Sequence, residues 1–227
     1  MEVCFVKKQS ALSKYKKELG TGHGANYKPY YTANHYNSMG TASIIVDWKH
    51  GRSIHCMSQA EAKFYYVMRW DDNVVDIREQ YPLNRTVTKM IADILEISHP
   101  YPNTGYCMTT DFLVTESDGR YHAYAVKYSK KSIDAKEYRW LAIEAAYWKK
   151  LGIRFDLVYG EDISDKFVNN IRAVVEYYDS KNVVDLVTDI KHKIATKKYR
   201  FDMLNDVIRK DRLLKMYYEG AFNNEEC

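Results

Sequence analysis

The spacing of apolar and polar residues predicts a mixed α/β arrangement in the first two thirds of the chain. β-Prone runs predict strands at 42–48, 53–56, 74–81, 108–115, 121–128 and 153–159. Apolar residues at helical spacing predict helices at 58–70, 87–97 and 136–151. Asp118-Gly119 joins two of the strands in the pattern of an antiparallel hairpin. A hairpin, a helix and a further strand in this order indicate a sheet with a crossover and helices on its faces.

Beyond residue 160 the strand pattern stops. Amphipathic helices are predicted at 163–178, 183–195 and 200–218. We therefore expect two domains, residues 1–160 with a basic N-terminal arm and residues 161–227 as a short all-helical region that contacts a partner or DNA. The arm would contain a short basic helix at 11–18, followed by the glycine loop 20–24. This loop lacks the Gly-Lys-Ser/Thr ending of a phosphate-binding loop and follows no strand, so no nucleotide cofactor is expected.

Composition narrows the class of protein. The 227 residues are 46% hydrophobic with only 10 Gly and 4 Pro, which excludes collagen-like and wholly disordered chains. No apolar run approaches the roughly 18 residues that span a bilayer, and no secretory signal is evident, so we expect a cytoplasmic protein without membrane contact. The four cysteines form no C-x-x-C pair, so neither disulfides nor a zinc ribbon are expected.

Positive charge is concentrated near the two ends of the sequence. Residues 1–30 hold six Lys against two Glu, and residues 183–218 hold nine Lys and Arg against five Asp. Such clusters are usually solvated faces, but they also suit contact with a phosphate backbone.

Four residues could carry chemistry together: Glu61, Asp111, Lys127 and Glu144. Taken singly, Glu61 could only cap its helix, Asp111 could only cap a turn, Lys127 could be solvated and Glu144 could pair with a neighbouring cation. Asp111 and Lys127, however, lie on the two arms of one predicted hairpin, which brings a carboxylate near an amine. Carboxylate oxygens suit Mg²⁺ or Mn²⁺, and a nearby lysine can orient or deprotonate water or stabilise charge on a phosphate. The set therefore favours metal-dependent phosphodiester hydrolysis.

The motifs resemble the TnsA family, the endonuclease subunits of heteromeric bacterial cut-and-paste transposases. The resemblance covers roughly residues 18–165. It is carried by the stretches 20–29, 58–61 with 75–83, 99–100 with 108–114, and 125–127 with 142–148. It implies a restriction-endonuclease-like mixed sheet flanked by helices. The short region after residue 160 is similar to that of the family members found in CRISPR-associated transposons.

The resemblance assigns roles residue by residue. Glu61 is similar to the family's helix-borne catalytic glutamate, Asp111 to its metal-binding aspartate and Lys127 to its catalytic lysine, while Glu144 resembles a further acid near the metal. Ala125 departs from the pattern, because nuclease motifs of this kind often have Glu or Gln two residues before the lysine. We therefore expect Mg²⁺, with Mn²⁺ as a substitute, to be bound by Asp111, Glu61 and main-chain oxygen near Val126, with Glu144 as a possible ligand of a second ion.

Three further residues in the motifs have two interpretations each. Arg78 and Gln80 could reach DNA or support Glu61, or they could brace the sheet. His99 could orient water or a phosphate, or it could stabilise its loop.

The resemblance also implies partners and a division of labour. The family member nicks the 5′ ends of the transposon, while a TnsB-like transposase cuts and joins the 3′ ends. Family members also contact a TnsC-like AAA+ regulator, typically through their C-terminal portion. Two other functions stay open: a non-catalytic architectural subunit that bridges DNA and partners, and a stand-alone restriction-type nuclease.

Overall fold

The computed structural model describes residues 13–14, 17–33 and 42–222, and within them the fold is the expected mixture of α and β structure. The chain divides into two compact units, residues 1–162 and residues 163–227. Half of the predicted arm helix at 11–18 lies outside the described residues, and Cys4 and Cys227 lie outside them as well. Cys56 and Cys107 are free thiols.

The strands of the first unit form two sheets. In chain order they are β1 (Ser43–Val46), β2 (Ser53–Cys56), β3 (Val74–Pro82), β4 (Thr109–Glu116), β5 (Tyr121–Lys127) and β6 (Arg154–Tyr159). β1 and β2 form an antiparallel hairpin, and the larger sheet has the order β3-β4-β5-β6. β6 runs parallel to β5, so the crossover predicted between them is confirmed.

The α-helices follow the predicted order. They are α1 (Gln59–Trp70), α2 (Arg85–Ile94) and α3 (Ala135–Lys150) in the first unit, and α4 (Asp165–Val175), α5 (Leu186–Ala195) and α6 (Lys210–Tyr218) in the second. Single-turn 3₁₀ helices lie at Gly24–Asn26, Lys130–Ser132, Gly160–Asp162 and Ser180–Asn182. No helix in the described part of the chain is long and apolar enough to cross a bilayer.

Aromatic packing and one glycine seat α1 on the large sheet. The ring of Phe64 lies 5.7 Å from that of Phe112 and 5.0 Å from that of Tyr124. A Cβ atom at Gly160 would lie 2.7 Å from Cβ of Ala60, so the absence of a side chain there lets the first turn of α1 approach the end of β6. This close approach determines where Glu61, one residue after Ala60, can project.

The β1-β2 hairpin is tied to β3 by a buried ion pair. Arg52 donates both terminal nitrogens to the Glu79 carboxylate, at 2.9 and 2.6 Å, and also donates to the carbonyl of Ile77. The glycine loop packs on the same strand, where the N–H of Gly24 donates to Oδ1 of Asp76 at 3.2 Å, and just after the loop the hydroxyl of Tyr27 donates to the carbonyl of Glu79 at 3.0 Å. The loop is therefore built into the edge of the fold at this point.

The prediction of one helix over 200–218 is wrong, because α6 begins at Lys210. The carboxylate of Asp202 accepts the backbone N–H groups of Leu204 and Asn205, which turns the chain. The buried amide of Asn170 on α4 then donates to the carbonyls of Met203 and Asp206 and accepts from the N–H of Ile208. These side-chain bonds replace the helical ladder across 202–208.

Candidate active site

Glu61 enters the site from the first turn of α1. Ser58 caps the helix by accepting the N–H of Glu61 at 3.1 Å, and its hydroxyl donates back to Oε1 of Glu61 at 3.0 Å. The N–H of Met57 donates to Oε2 at 2.8 Å. Glu61 therefore has the capping role that its sequence position indicates, but the same carboxylate also faces the sheet.

Asp111 faces Glu61 from β4, and Gln80 lies between them. Nε2 of Gln80 is 3.3 Å from Oε2 of Glu61 and 3.5 Å from Oδ1 of Asp111. Continuing the β3-β4 register puts Gln80 directly opposite Asp111. The backbone φ of Gln80 is 49°, which is unusual for a residue with a side chain. We call Glu61 and Asp111 the acid pair.

Burial raises the pKa of both members of the acid pair, and the charge of Asp111 raises that of Glu61 further. For Glu61 burial is the larger cause, and the charge of Asp111 adds to it. Together they raise the pKa of Glu61 to about 8, although hydrogen bonds from Met57, Ser58 and Gln80 lower it. Burial also raises the pKa of Asp111, against the N–H of Val126 and the charge of Lys127. Two close carboxylates that resist ionisation would be stabilised as anions by a cation between them.

Lys127 lies near Asp111 at the end of β5. Continuing the β4-β5 register puts Ala125, not Lys127, opposite Asp111, so Lys127 is the diagonal neighbour on the same face. Its Nζ lies 3.2 Å from Oε1 of Glu137 on α3. Burial lowers the pKa of Lys127, but the charges of Asp111, Glu137 and Glu144 raise it, and the net change is upward. The lysine therefore holds its proton beside the acids.

Glu144 projects from the middle of α3 toward the same place. Its Oε1 accepts the hydroxyl of Thr110, the neighbour of Asp111 on β4. Burial and the charge of Asp111 raise the pKa of Glu144 to about 8. Asp111, Lys127, Glu137 and Glu144 line one cavity of about 160 Å³, which we call the active-site cavity.

The remaining candidates lie in different surroundings. Val126 meets Asp111 through its main chain, but by its N–H, which donates to Oδ2 at 2.7 Å. Arg78 is buried, donates to the Thr115 hydroxyl at 3.1 Å and lies over the Tyr121 ring, so it braces the sheet. His99 accepts the N–H of Tyr101 at Nδ1 and meets the Thr88 hydroxyl with Nε2 at 3.1 Å, so it stabilises its loop.

The donor set fits a divalent cation of the Mg²⁺ type. Within the described residues no three His, Cys, Asp or Glu side chains form a ready-made metal cluster. Mg²⁺, however, is commonly bound through one or two carboxylates, with water and substrate phosphates completing its coordination. The acid pair offers two carboxylates, and Glu144 adds a third in the active-site cavity, which Asp111 also lines.

Sequence reasoning missed two contributors. Glu137 pairs with Lys127 and also accepts the N–H of Asp134, and the pattern Asp134-x-x-Glu137 is a capping-box signature that could have drawn attention to it. The other contributor is Thr110. A threonine next to a candidate aspartate gives no sequence signal that its hydroxyl donates to a glutamate 34 residues later.

Comparison with known proteins gives two matches. Residues 71–160 match the model of a family described as TnsA-like endonuclease N terminal. This range includes Gln80, Asp111, Lys127 and Glu144, while Glu61 precedes it. The chain is 31% identical over 159 residues to the transposition protein TnsA of transposon Tn7 from Escherichia coli, which is 69% of this chain and 58% of that protein. The chain thus spans less than two thirds of its relative.

Proposed function

We propose that the chain, whose residues 71–160 match the TnsA-like endonuclease N terminal family and whose fold is restriction-endonuclease-like, is the DNA-cutting subunit of a heteromeric transposase. Its substrate would be the phosphodiester at the 5′ ends of the transposon. A TnsB-like transposase would cut and join the 3′ ends, and a TnsC-like AAA+ regulator would contact the assembly.

The observation that carries this proposal is the convergence of Glu61, Asp111 and Lys127 from three separate elements. Oxygens of the acid pair share the amide of Gln80, and Lys127 lies on the strand next to Asp111. A buried pair of acids with a lysine beside them is costly to assemble unless something compensates the charge. A function that uses both a cation and a phosphate accounts for this cost.

Asp111 and Glu61 would hold Mg²⁺ or Mn²⁺, and a main-chain oxygen near Val126 and the Glu144 carboxylate are further candidate ligands. The bound cation would neutralise charge on the scissile phosphate and lower the pKa of water, so that hydroxide is available at neutral pH.

The chain's own residues then have distinct tasks. The ammonium of Lys127 stabilises the negative charge that develops on the phosphoryl oxygens as water attacks phosphorus and the bond to the leaving oxygen breaks. Glu137 holds that ammonium at the rim of the active-site cavity through its 3.2 Å contact. Gln80 fixes the separation of the acid pair by donating to both carboxylates. The capping bonds of Ser58 orient Glu61 before any ion arrives.

The proposal is tested by cleavage of labelled transposon-end DNA in the presence of the partner transposase and Mg²⁺ or Mn²⁺. We expect partner-dependent cutting of the 5′ strand by the wild type and none by Asp111→Asn. Asp93→Asn, an exposed aspartate on α2, removes the same charge away from the site and should cut normally.

Each alternative has its own result in this assay. Equal 3′ cutting with no 5′ product from either protein would identify an architectural subunit. Full cutting of both strands without the partner would identify a stand-alone nuclease.

A further inference from the structure

A second cavity adjoins the active-site cavity on the outer side of α3. It has a volume of about 380 Å³ and is lined by residues 97–100 together with Lys136, Arg139 and Trp140. Pro100 and Trp140 line both cavities, so the two are neighbours across a shared wall. We call the second one the flanking cavity.

The charge of the lining reverses across this wall. The active-site cavity holds the acids Asp111, Glu137 and Glu144 with one lysine. Among the described residues that line the flanking cavity none is acidic, and two are cations, Lys136 and Arg139. A ligand that spans the wall would therefore meet a cation-binding site on one side and protein cations on the other.

The two cations are held at the cavity rather than swinging freely. Nζ of Lys136 lies 4.7 Å from the centre of the Trp140 ring, and Nε of Arg139 donates to the carbonyl of Ala135 at 3.1 Å. Residues three apart on a helix share a face, so both side chains project from the same side of α3. Neither forms an ion pair within the part of the chain that the structure describes.

The position of this pair on its helix increases the attraction for an anion. Lys136 and Arg139 lie in the first two turns of α3, where the helix macrodipole already contributes positive potential. Arg85 and Lys89 lie close to His99 of the cavity lining, and both donate to the carbonyl of Pro102 just beyond it. Four cations therefore lie at or near the lining of the flanking cavity, and the acid Asp93 also lies close to His99.

We propose that the flanking cavity binds the phosphate backbone of the DNA strand beside the scissile phosphate. Lys136 and Arg139 contact phosphates, and Trp140 packs against the sugar or base that crosses the wall between the cavities. This inference rests on the proposed function, because it takes the scissile phosphate to lie in the active-site cavity. Cationic side chains that contact phosphates with an aromatic ring between them are a recurrent way to hold a nucleic-acid strand.

The test compares charge removal at the two ends of α3. The double variant Lys136→Ala, Arg139→Ala removes the pair at the flanking cavity, and Lys149→Ala, Lys150→Ala removes two exposed cations from the last turn of the same helix. Both are made in the Asp111→Asn chain so that DNA stays uncut. Binding to fluorescent transposon-end DNA is measured by anisotropy in the complex with the partner transposase, from 50 to 200 mM salt.

The expected result is a change in salt dependence. Removing one cation that contacts a phosphate makes the slope of log affinity against log salt shallower by about 0.9. When two such cations are removed, the affinity lost on raising the salt fourfold is therefore about tenfold smaller. The control variant should keep the parental slope. Trp140→Ala should reduce cutting by the active chain while leaving the salt slope unchanged, since it removes no charge.

Other outcomes separate this inference from the proposed function. If the wild type cuts and the double variant and its control show equal slopes, the flanking cavity does not bind DNA. If the double variant instead loses the partner transposase while its slope is unchanged, the surface binds protein and the inference is overturned. If the wild type never cuts but the double variant still shows the shallower slope, the catalytic proposal fails and the DNA-binding cavity is supported.

Discussion

Glu144→Gln should stabilise the metal-free chain at alkaline pH and leave it unchanged at acid pH. The side chain is buried, and its pKa is raised from 4.5 to about 8 by burial first and by the charge of Asp111 second. Because the folded chain binds this proton more tightly than the unfolded chain, the stabilisation is complete below pH 4.5. It is lost as the pH rises to about 8. The glutamine cannot titrate, and its side-chain oxygen can still accept the hydroxyl of Thr110.

The size of the effect follows from the pKa change. A rise from 4.5 to about 8 corresponds to about 5 kcal/mol in the free energy of unfolding, at about 1.4 kcal/mol per pH unit. We take this as a ceiling, because a partly opened site or a bound cation lowers the cost of ionisation. Variant and wild type should therefore be equally stable near pH 4.5 and differ by several kcal/mol near pH 8.

The assay is urea unfolding followed by tryptophan fluorescence, in chelator, at intervals from pH 5 to pH 8. The titration of Glu61 occurs in both proteins and cancels in the difference between them. Glu161→Gln, which makes the same substitution at an exposed glutamate away from the site, provides the control. A difference between Glu144→Gln and wild type that stays constant over the whole range would show that burying the Glu144 charge does not destabilise the fold.

Three further perturbations test how the site is built. Gln80→Leu removes the amide that both members of the acid pair share, and metal affinity measured by calorimetry and cutting rate should each fall about 10- to 100-fold; an unchanged metal affinity would contradict this. Gly160→Ala puts a methyl group 2.7 Å from Cβ of Ala60, so it should lower the unfolding free energy by about 1–3 kcal/mol in urea and also slow cutting. If stability fell but cutting did not, the position of α1 would not control the site. Arg69→Met leaves the buried Asp47 carboxylate without the guanidinium that donates to it at 2.6 Å, and it should lower the free energy of unfolding by about 3–5 kcal/mol in thermal or urea unfolding. A loss below 1 kcal/mol would show that the site relaxes or admits water.

The order of elements was predictable because local signals agreed with the fold. Ser58 and Glu61 form a capping pattern, and they do cap α1. Asp118-Gly119 marked the β4-β5 hairpin, whose pairing begins at Thr115 and Tyr121. A local pattern of this kind is readable because the residues that form it are neighbours in sequence.

The errors arose where distant residues decide the local structure. The apolar spacing of 200–218 is helical, but the buried side chain of Asn170 takes the backbone groups that a helix there would need. The left-handed backbone of Gln80, which aims its amide at the acid pair, likewise has no local signature. The registers that make Asp111 face Gln80 on one side and Ala125 on the other belong to the sheet as a whole.

The acid pair is tested most directly by measuring metal binding and DNA cutting in the same samples. Free Mn²⁺ is followed by its electron paramagnetic resonance signal, and 5′-strand product is quantified, for wild type and Asp111→Asn with end DNA and the partner transposase. We expect the wild type to bind Mn²⁺ and yield the product, and Asp111→Asn to fold normally and do neither. Wild-type product levels from Asp111→Asn, or cutting by the wild type in excess chelator, would contradict it.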